Sequence, residues 1–278
     1  MFDLLADFAV WLYSVNRKTV RARGAYRSLK MAGRILTKLR HYPISFRGTG
    51  THYADVLDPD TFWLLNAFVG DPHPSMQHLA RVLSARSKPG AIIWDIGGNM
   101  GLFTVEMLRV SSNIGAIHIF EPHPVPMQVA KDLLGSIKNV TLHSLALGDQ
   151  AGTAALFSED EGTGGSSLNP SEPRRKAIPV QVETGDSLVK NTDLEAPDII
   201  KIDVEGFEPH VLLGMREIIA QKRPIIALEI LFLSKEQIFE IIPQGYRISY
   251  IRESDGQLFE DYEVARSGGC MDALLEPA

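Results

Sequence analysis

At 278 residues the chain is long for one ordinary domain but within reach of a single open α/β sheet carrying an appendage. Hydrophobic residues make up 45% and charged residues 22%, with 23 Gly and 16 Pro. That balance excludes a disordered, collagen-like or membrane-bundle chain and fits a soluble, enzyme-like protein. Cys270 is the sole cysteine, which excludes an intrachain disulfide framework and a cysteine-rich metal site; a reducing, cytoplasmic setting fits best.

The net charge of -6 hides an asymmetry, because residues 8–54 carry ten Lys or Arg and no Asp or Glu. By charge alone a basic segment of this kind, residues 16–48, could meet nucleic acid, an anionic membrane surface or an acidic partner, and it reads equally as a solvated helix face. No nucleic acid is expected as partner. The first 15 residues are apolar but contain Asp3 and Asp7 and lack a positive leading segment. They are too short to span a bilayer, so neither a signal peptide nor a transmembrane helix is expected.

Along the chain, residues 17–40 read as a helix with a narrow apolar stripe, and Asp58-Pro-Asp-Thr61 as a turn into a second helix at 62–68. Asp71-Pro-His-Pro74 breaks the chain before a third helix near 75–86. From Pro89 the pattern becomes short apolar runs alternating with helices, which implies a parallel sheet covered on both faces. The expected strands are 92–95, 116–120, 140–147, 199–203 and 224–229, with crossover helices at 101–110, 125–137 and 209–220. Residues 153–157 and 178–182 suggest a hairpin added to the sheet. The Gly/Ser/Pro-rich loop between them, 159–176, is the candidate for a mobile lid. Residues 246–251, turning at Ser254-Asp-Gly256 into Leu258-Phe259, read as a terminal antiparallel pair.

Three groups of residues carry chemistry. Trp94-Asp-Ile-Gly-Gly-Asn-Met-Gly101 is a strand running through a glycine-rich turn into a helix. The glycines let backbone approach a ligand, and Asp95 at the strand end can accept from amine or hydroxyl donors. The dinucleotide spacing G-x-G-x-x-G fails here, since Asn99 stands where the second Gly belongs. Glu121, in Ile119-Phe-Glu-Pro122, ends the next strand about 20 residues on, where a ribose-binding carboxylate is expected. Ile200-Lys-Ile-Asp-Val-Glu-Gly-Phe-Glu208 sets three carboxylates after a buried strand, and Glu229 ends its neighbour. Of these, Asp203 and Glu205 read as functional, as general base or holder of a cation. Glu208 reads as a partner of the positive helix N-terminus.

Together these residues resemble the FkbM-type family of S-adenosylmethionine-dependent methyltransferases. The matching stretches are Asp95-Ile-Gly-Gly-Asn-Met-Gly101, Phe120-Glu-Pro122, Ala146-Leu-Gly-Asp149, the Gly-Ser-Ser at 165–167, Ile202-Asp-Val-Glu-Gly206 with Glu208, and the strand ending in Glu229. They span residues 89–232 in the family's order and spacing; Gly98 stands where the family more often has Ala. The resemblance implies a Rossmann-like class I sheet of seven strands, the last antiparallel, in a domain at 89–278; the N-terminal helical arm (1–88), which does not match the family closely, and the hairpin insertion are read from the sequence pattern itself. It further implies that Asp95, Gly97, Asn99, Met100 and Gly101 border the methionine and ribose of S-adenosylmethionine. Glu121 with Pro122 takes the ribose, and Ala146 with Leu147 borders adenine.

The expected reaction is methylation of a hydroxyl on a sugar, glycan or secondary metabolite, with Glu205 as base and Asp203 as orienter, and His123 or His210 as lesser candidates for the base. A divalent metal is compatible with the carboxylates but is not predicted. The rivals are a nicotinamide-dependent oxidoreductase, disfavoured by the broken fingerprint, and a non-catalytic scaffold working through the basic arm.

Overall fold

The computed structural model describes residues 41–45, 51–55, 74–159, 162–168, 176–252 and 254–278, in two compact units, Met1–His73 and Pro74–Ala278. The helices expected at 17–40 and 62–68 lie outside the described residues. What is described of the first unit is an antiparallel hairpin, β1 (His41–Ser45) with β2 (Thr51–Asp55), pairing His41 with Asp55 and Ser45 with Thr51.

The second unit opens on α1 (Pro74–Ser84) and is organised around β3 (Ala91–Ile96). All six residues of β3 are buried, as a parallel strand covered on both faces requires. The chain continues through α2 (Leu102–Val110), β4 (Ile114–Phe120), α3 (Pro124–Leu134) and β5 (Val140–His143). After an inserted sheet and α4 (Gly185–Asn191) come β10 (Ile199–Ile202), α5 (Glu208–Leu213), α6 (Arg216–Lys222), β11 (Ile225–Glu229), α7 (Lys235–Ile241) and β12 (Tyr246–Arg252). The short β13 (Leu258–Phe259), α8 (Tyr262–Ser267) and β14 (Cys270–Pro277) close the chain. The main sheet runs β13-β12-β14-β11-β10-β3-β4-β5, with β14 antiparallel between β11 and β12. Seven of these strands match the expected Rossmann-like sheet and its antiparallel last strand; β13 extends the edge as an eighth.

One face of this sheet holds Trp94, Ile96, Ile200, Ile202, Ile226 and Leu228, packed with Val211 and Leu212 from α5, Ile218 and Ile219 from α6, and Met215 between the two helices. The Trp94 indole satisfies its donor on the Glu195 carbonyl at 3.2 Å. Helix α3 starts sharply because His123 Nδ1 accepts from Val125 N at 3.2 Å and Pro124 needs no donor there.

Two expected elements are divided. The strand expected at 140–147 ends its pairing with β4 at His143, and Ala146-Leu147 becomes β6 of a second sheet. The helix expected at 209–220 breaks at Gly214, where an added Cβ would lie 1.9 Å from the Gly148 carbonyl oxygen. The turn after β6 therefore presses on the break, and α6 is restarted by Asp186, whose carboxylate accepts from Glu217 N and Ile218 N, both at 3.0 Å.

The expected hairpin is real but larger. β7 (Gly152–Glu159) and β9 (Lys176–Glu183) pair antiparallel, Thr153 with Gln181. The intervening segment expected as a loop holds a further strand, β8 (Gly162–Ser167), against β7. With β6 parallel to β9 the insertion is a four-stranded sheet ordered β6-β9-β7-β8. Leaving the main sheet early is what lets β6 belong to it.

Candidate active site

The strand order reverses between β3 and β10, and the loops after their carboxyl ends open a cleft, the position where open α/β sheets bind ligands. The main sheet contributes Ile96, Gly97, Asn99, Phe120, Glu121, Pro122, Asp203, Val204, Glu205 and Phe207. The inserted sheet and the residue after it contribute Ala146, Leu147, Leu156, Ser166 and Leu168. Of the candidate residues, Gly97, Asn99, Glu121, Pro122, Ala146, Leu147, Asp203 and Glu205 thus meet around one space.

Asp95, Met100 and Gly101 do not line it. Asp95 is fully buried beneath the glycine turn, where Thr104 Oγ1 donates to its Oδ2 at 2.8 Å and Lys201 Nζ lies 3.7 Å from its Oδ1. Burial raises its pKa against the opposing pull of Lys201 and Thr104. Met100 is buried, and Gly101, with φ 83°, sits where a side chain would strike Leu134 at 2.5 Å. These three shape the turn from behind.

The turn is held to its neighbour at very short range. A Cβ on Gly97, whose φ is 72°, would lie 1.8 Å from the Asp203 carbonyl oxygen, so the loops after β3 and β10 touch backbone to backbone. Asn99 also takes a positive φ of 48° and leaves its buried Oδ1 without a partner at the cleft.

Glu121 is nearly buried and its carboxylate is aimed by two backbone donors, Asn99 N at 2.9 Å on Oε2 and His123 N at 2.7 Å on Oε1. Desolvation pushes its pKa up to about 7 in spite of these bonds. Opposite, Lys201 crosses the gap between strands, 3.0 Å from Asp203 Oδ2. Burial alone would lower the Lys201 pKa, but Asp203 and Asp95 hold it above the ordinary lysine range, so it stays charged. Lys201 escaped the sequence reading. A lysine inside the buried run Ile199-Ile200-Lys201-Ile202 is itself a signal, since an unpaired buried charge is prohibitive.

The segment after Asp203 is conformationally unusual. Glu205 adopts φ 56° and Gly206 φ 93°. Glu208, buried at the start of α5, accepts from Val204 N at 3.0 Å and Gly206 N at 3.2 Å. Glu208 stands at the first residue of α5, beside the helix N-terminus expected for it, and these two bonds brace the loop before the helix. Glu229 pairs in register with Asp272 on β14. Burial, then the nearby Asp203, Glu205, Glu208 and Asp272, push its carboxyl up to about 10, so it carries a proton at neutral pH. The two histidine candidates are absent from the lining. His123 is the cap of α3, and His210 stacks on Phe207 at 4.3 Å while facing Asp149 at 3.1 Å. No group of three or more His, Cys, Asp or Glu suited to a metal ion occurs among the described residues.

Comparison with known proteins agrees with this architecture. A 2-O-methyltransferase NoeI from Sinorhizobium fredii is 28% identical over 168 residues, covering 55% of this chain and 68% of that protein. A hexuronic acid methyltransferase AglP from Haloferax volcanii is 24% identical over 140 residues, 50% of this chain and 56% of that protein. "Methyltransferase 1" of Beauveria bassiana is 29% identical over 146 residues, 45% of this chain and 58% of that protein. The chain thus matches little more than half the length of the latter two. The crystal structure of methyltransferase FkbM from Methylobacillus flagellatus KT superposes over 72% of this chain and 47% of that one, with a TM-score of 0.50 and 15% identity, and shares the fold. The profile of the methyltransferase FkbM domain matches residues 95–260, more than half of the sequence, and the chain belongs to that family.

Proposed function

We propose that this chain is an S-adenosylmethionine-dependent methyltransferase acting on a hydroxyl of a sugar-bearing acceptor. The observation that carries the reading is the cleft at the β3/β10 switch point, where the backbone-aimed Glu121 faces Asp203 and Glu205 across a glycine turn. The donor set fits the cofactor. Glu121 would take the ribose hydroxyls, and the unpartnered Asn99 Oδ1 would take a donor from the amino acid end. Phe120, Ala146 and Leu147 offer an apolar wall to the base. When bound, the cofactor supplies an electrophilic methyl on a positively charged sulfur.

Within this reading, Asp203 is committed to Lys201 and orients, while Glu205 is the base. With the cofactor bound, an acceptor hydroxyl oxygen would form the new C–O bond as the C–S bond broke, the electron pair would stay on sulfur, and the hydroxyl proton would pass to the Glu205 carboxylate. Most of the acceleration then comes from alignment and exclusion of water. The hydroxyl acceptor is supported by the name of the NoeI relative, a 2-O-methyltransferase, and the sugar by that of AglP, a hexuronic acid methyltransferase.

The test has two stages. In thermal-shift and calorimetric titrations, S-adenosylhomocysteine is expected to stabilise the protein and NAD to leave it unchanged. Transfer of labelled methyl from S-adenosylmethionine to a panel of free hexuronic acids and neutral sugars is then expected to yield alkali-stable ethers. Stabilisation by NAD alone would replace the proposal with a nicotinamide enzyme. No helix among the described residues is long and apolar enough to cross a membrane. For the basic segment 16–48 we propose peripheral contact with anionic lipid, expected as liposome co-sedimentation that weakens steeply with salt. Co-sedimentation unchanged after its deletion would refute that contact.

A further inference from the structure

We infer that Ser167, on the inserted sheet, is a positioning residue that fixes the left-handed backbone of Glu205 and so makes the insertion part of the catalytic apparatus. The inference rests on the proposed role of Glu205. Ser167 is nearly buried, and its Oγ donates to the Glu205 carbonyl at 2.8 Å, with the Val204 carbonyl at 3.5 Å. A non-glycine residue at φ 56° persists only where its surroundings over-determine it. Here they act from both sides, since Glu208 holds the N–H groups of Val204 and Gly206 while Ser167 holds the carbonyls. The two clamps have different origins. Glu208 is local, whereas Ser167 arrives on β8, 38 residues upstream of Glu205.

The neighbours of Ser167 strengthen the case. Ser166 and Leu168, on either side of it, line the cleft itself. The strand that clamps the proposed base therefore also walls the cleft, and one hydrogen bond ties that wall and the base into a fixed relation. Loss of such a tie displaces a reacting group without removing it, and a displacement of about 1 Å can cost about 10²-fold in rate.

The experiment is a double-mutant cycle between Ser167→Ala and Glu205→Gln, assayed by methyl transfer from S-adenosylmethionine to the hexuronic acid or other panel sugar methylated fastest. Alanine removes one oxygen and opens almost no cavity, and an unchanged thermal midpoint and S-adenosylhomocysteine affinity would show that fold and cofactor site survive. Ser167→Ala is expected to lower kcat about 10- to 100-fold with KM for the sugar within about threefold, and Ser167→Thr, which keeps the hydroxyl, to recover most of it. In the Glu205→Gln background the alanine substitution is expected to cost little more. Wild-type kcat in Ser167→Ala, or losses that multiply in the double variant, would overturn the inference while leaving Glu205 as base. Wild-type kcat in Glu205→Gln would instead remove the base assignment, and this inference with it.

Discussion

Replacing Glu121 by Ala takes both carboxylate oxygens out of the cleft and leaves two aimed N–H donors, at Asn99 and His123, without their acceptor. Two charge-assisted bonds to a ribose diol correspond to about 2–4 kcal/mol, or roughly 30- to 900-fold in dissociation constant. The pKa adds an independent signature. With the group at about 7 in the free protein and the ribose hydroxyls donating to its ionised form, affinity should rise about tenfold from roughly pH 6 to pH 8. The sign for stability is opposite. A carboxyl raised above its unfolded value contributes fully below about pH 4.5 and loses that contribution as pH rises through about 7, at most about 3 kcal/mol for a side chain this buried. Calorimetry with S-adenosylhomocysteine on wild type, Glu121→Gln and Glu121→Ala across this range measures both effects. Wild-type affinity in Glu121→Ala, or a flat pH profile in the wild type, would refute the assignment of Glu121 to the ribose.

Glu205→Gln preserves shape but not proton affinity, and turnover should fall about 10²- to 10⁴-fold while S-adenosylhomocysteine affinity stays within about twofold, read by steady-state kinetics and calorimetry. Gly97→Ala drives a Cβ to 1.8 Å from the Asp203 carbonyl at a positive φ. It should cost about 3 kcal/mol or more, lowering the thermal midpoint by roughly 6–12 °C, and a melt within about 2 °C of wild type would refute the backbone contact. Glu229, pushed up to about 10, contributes stability that is full below about pH 4.5 and drains away as pH rises toward 10. Glu229→Gln should therefore melt at least about 2–4 °C above wild type near pH 8 and show no advantage near pH 4. An equal difference at both values would refute burial of the proton.

The one-dimensional order of the site was legible because each piece of it is local. A strand end, a glycine turn and a helix start are contiguous in residues 94–101, and a carboxylate closing an apolar run marks the next strand end at Glu121 and again at Asp203. Parallel strands bring all such ends to one edge, so reading strands in sequence already assembles most of the cleft. Which side of the strand a residue takes was the first thing tertiary structure decided. Asp95 turns inward to Lys201 and Thr104 and stays out of the cleft, and its lysine partner is legible only as an anomaly in a buried run. The second was the use of long-range contacts. The insertion looks like a hairpin with a loop, because nothing local tells that Ala146-Leu147 pairs with Val182-Glu183 or that Ser167 reaches the Glu205 carbonyl. Nor could local sequence divide 209–220, since that break depends on the Gly148 carbonyl pressed against Gly214. Periodicity records the burial of a face, whereas pairings between distant segments are selected only when the whole sheet has closed, and it is those pairings that set the backbone of the proposed base.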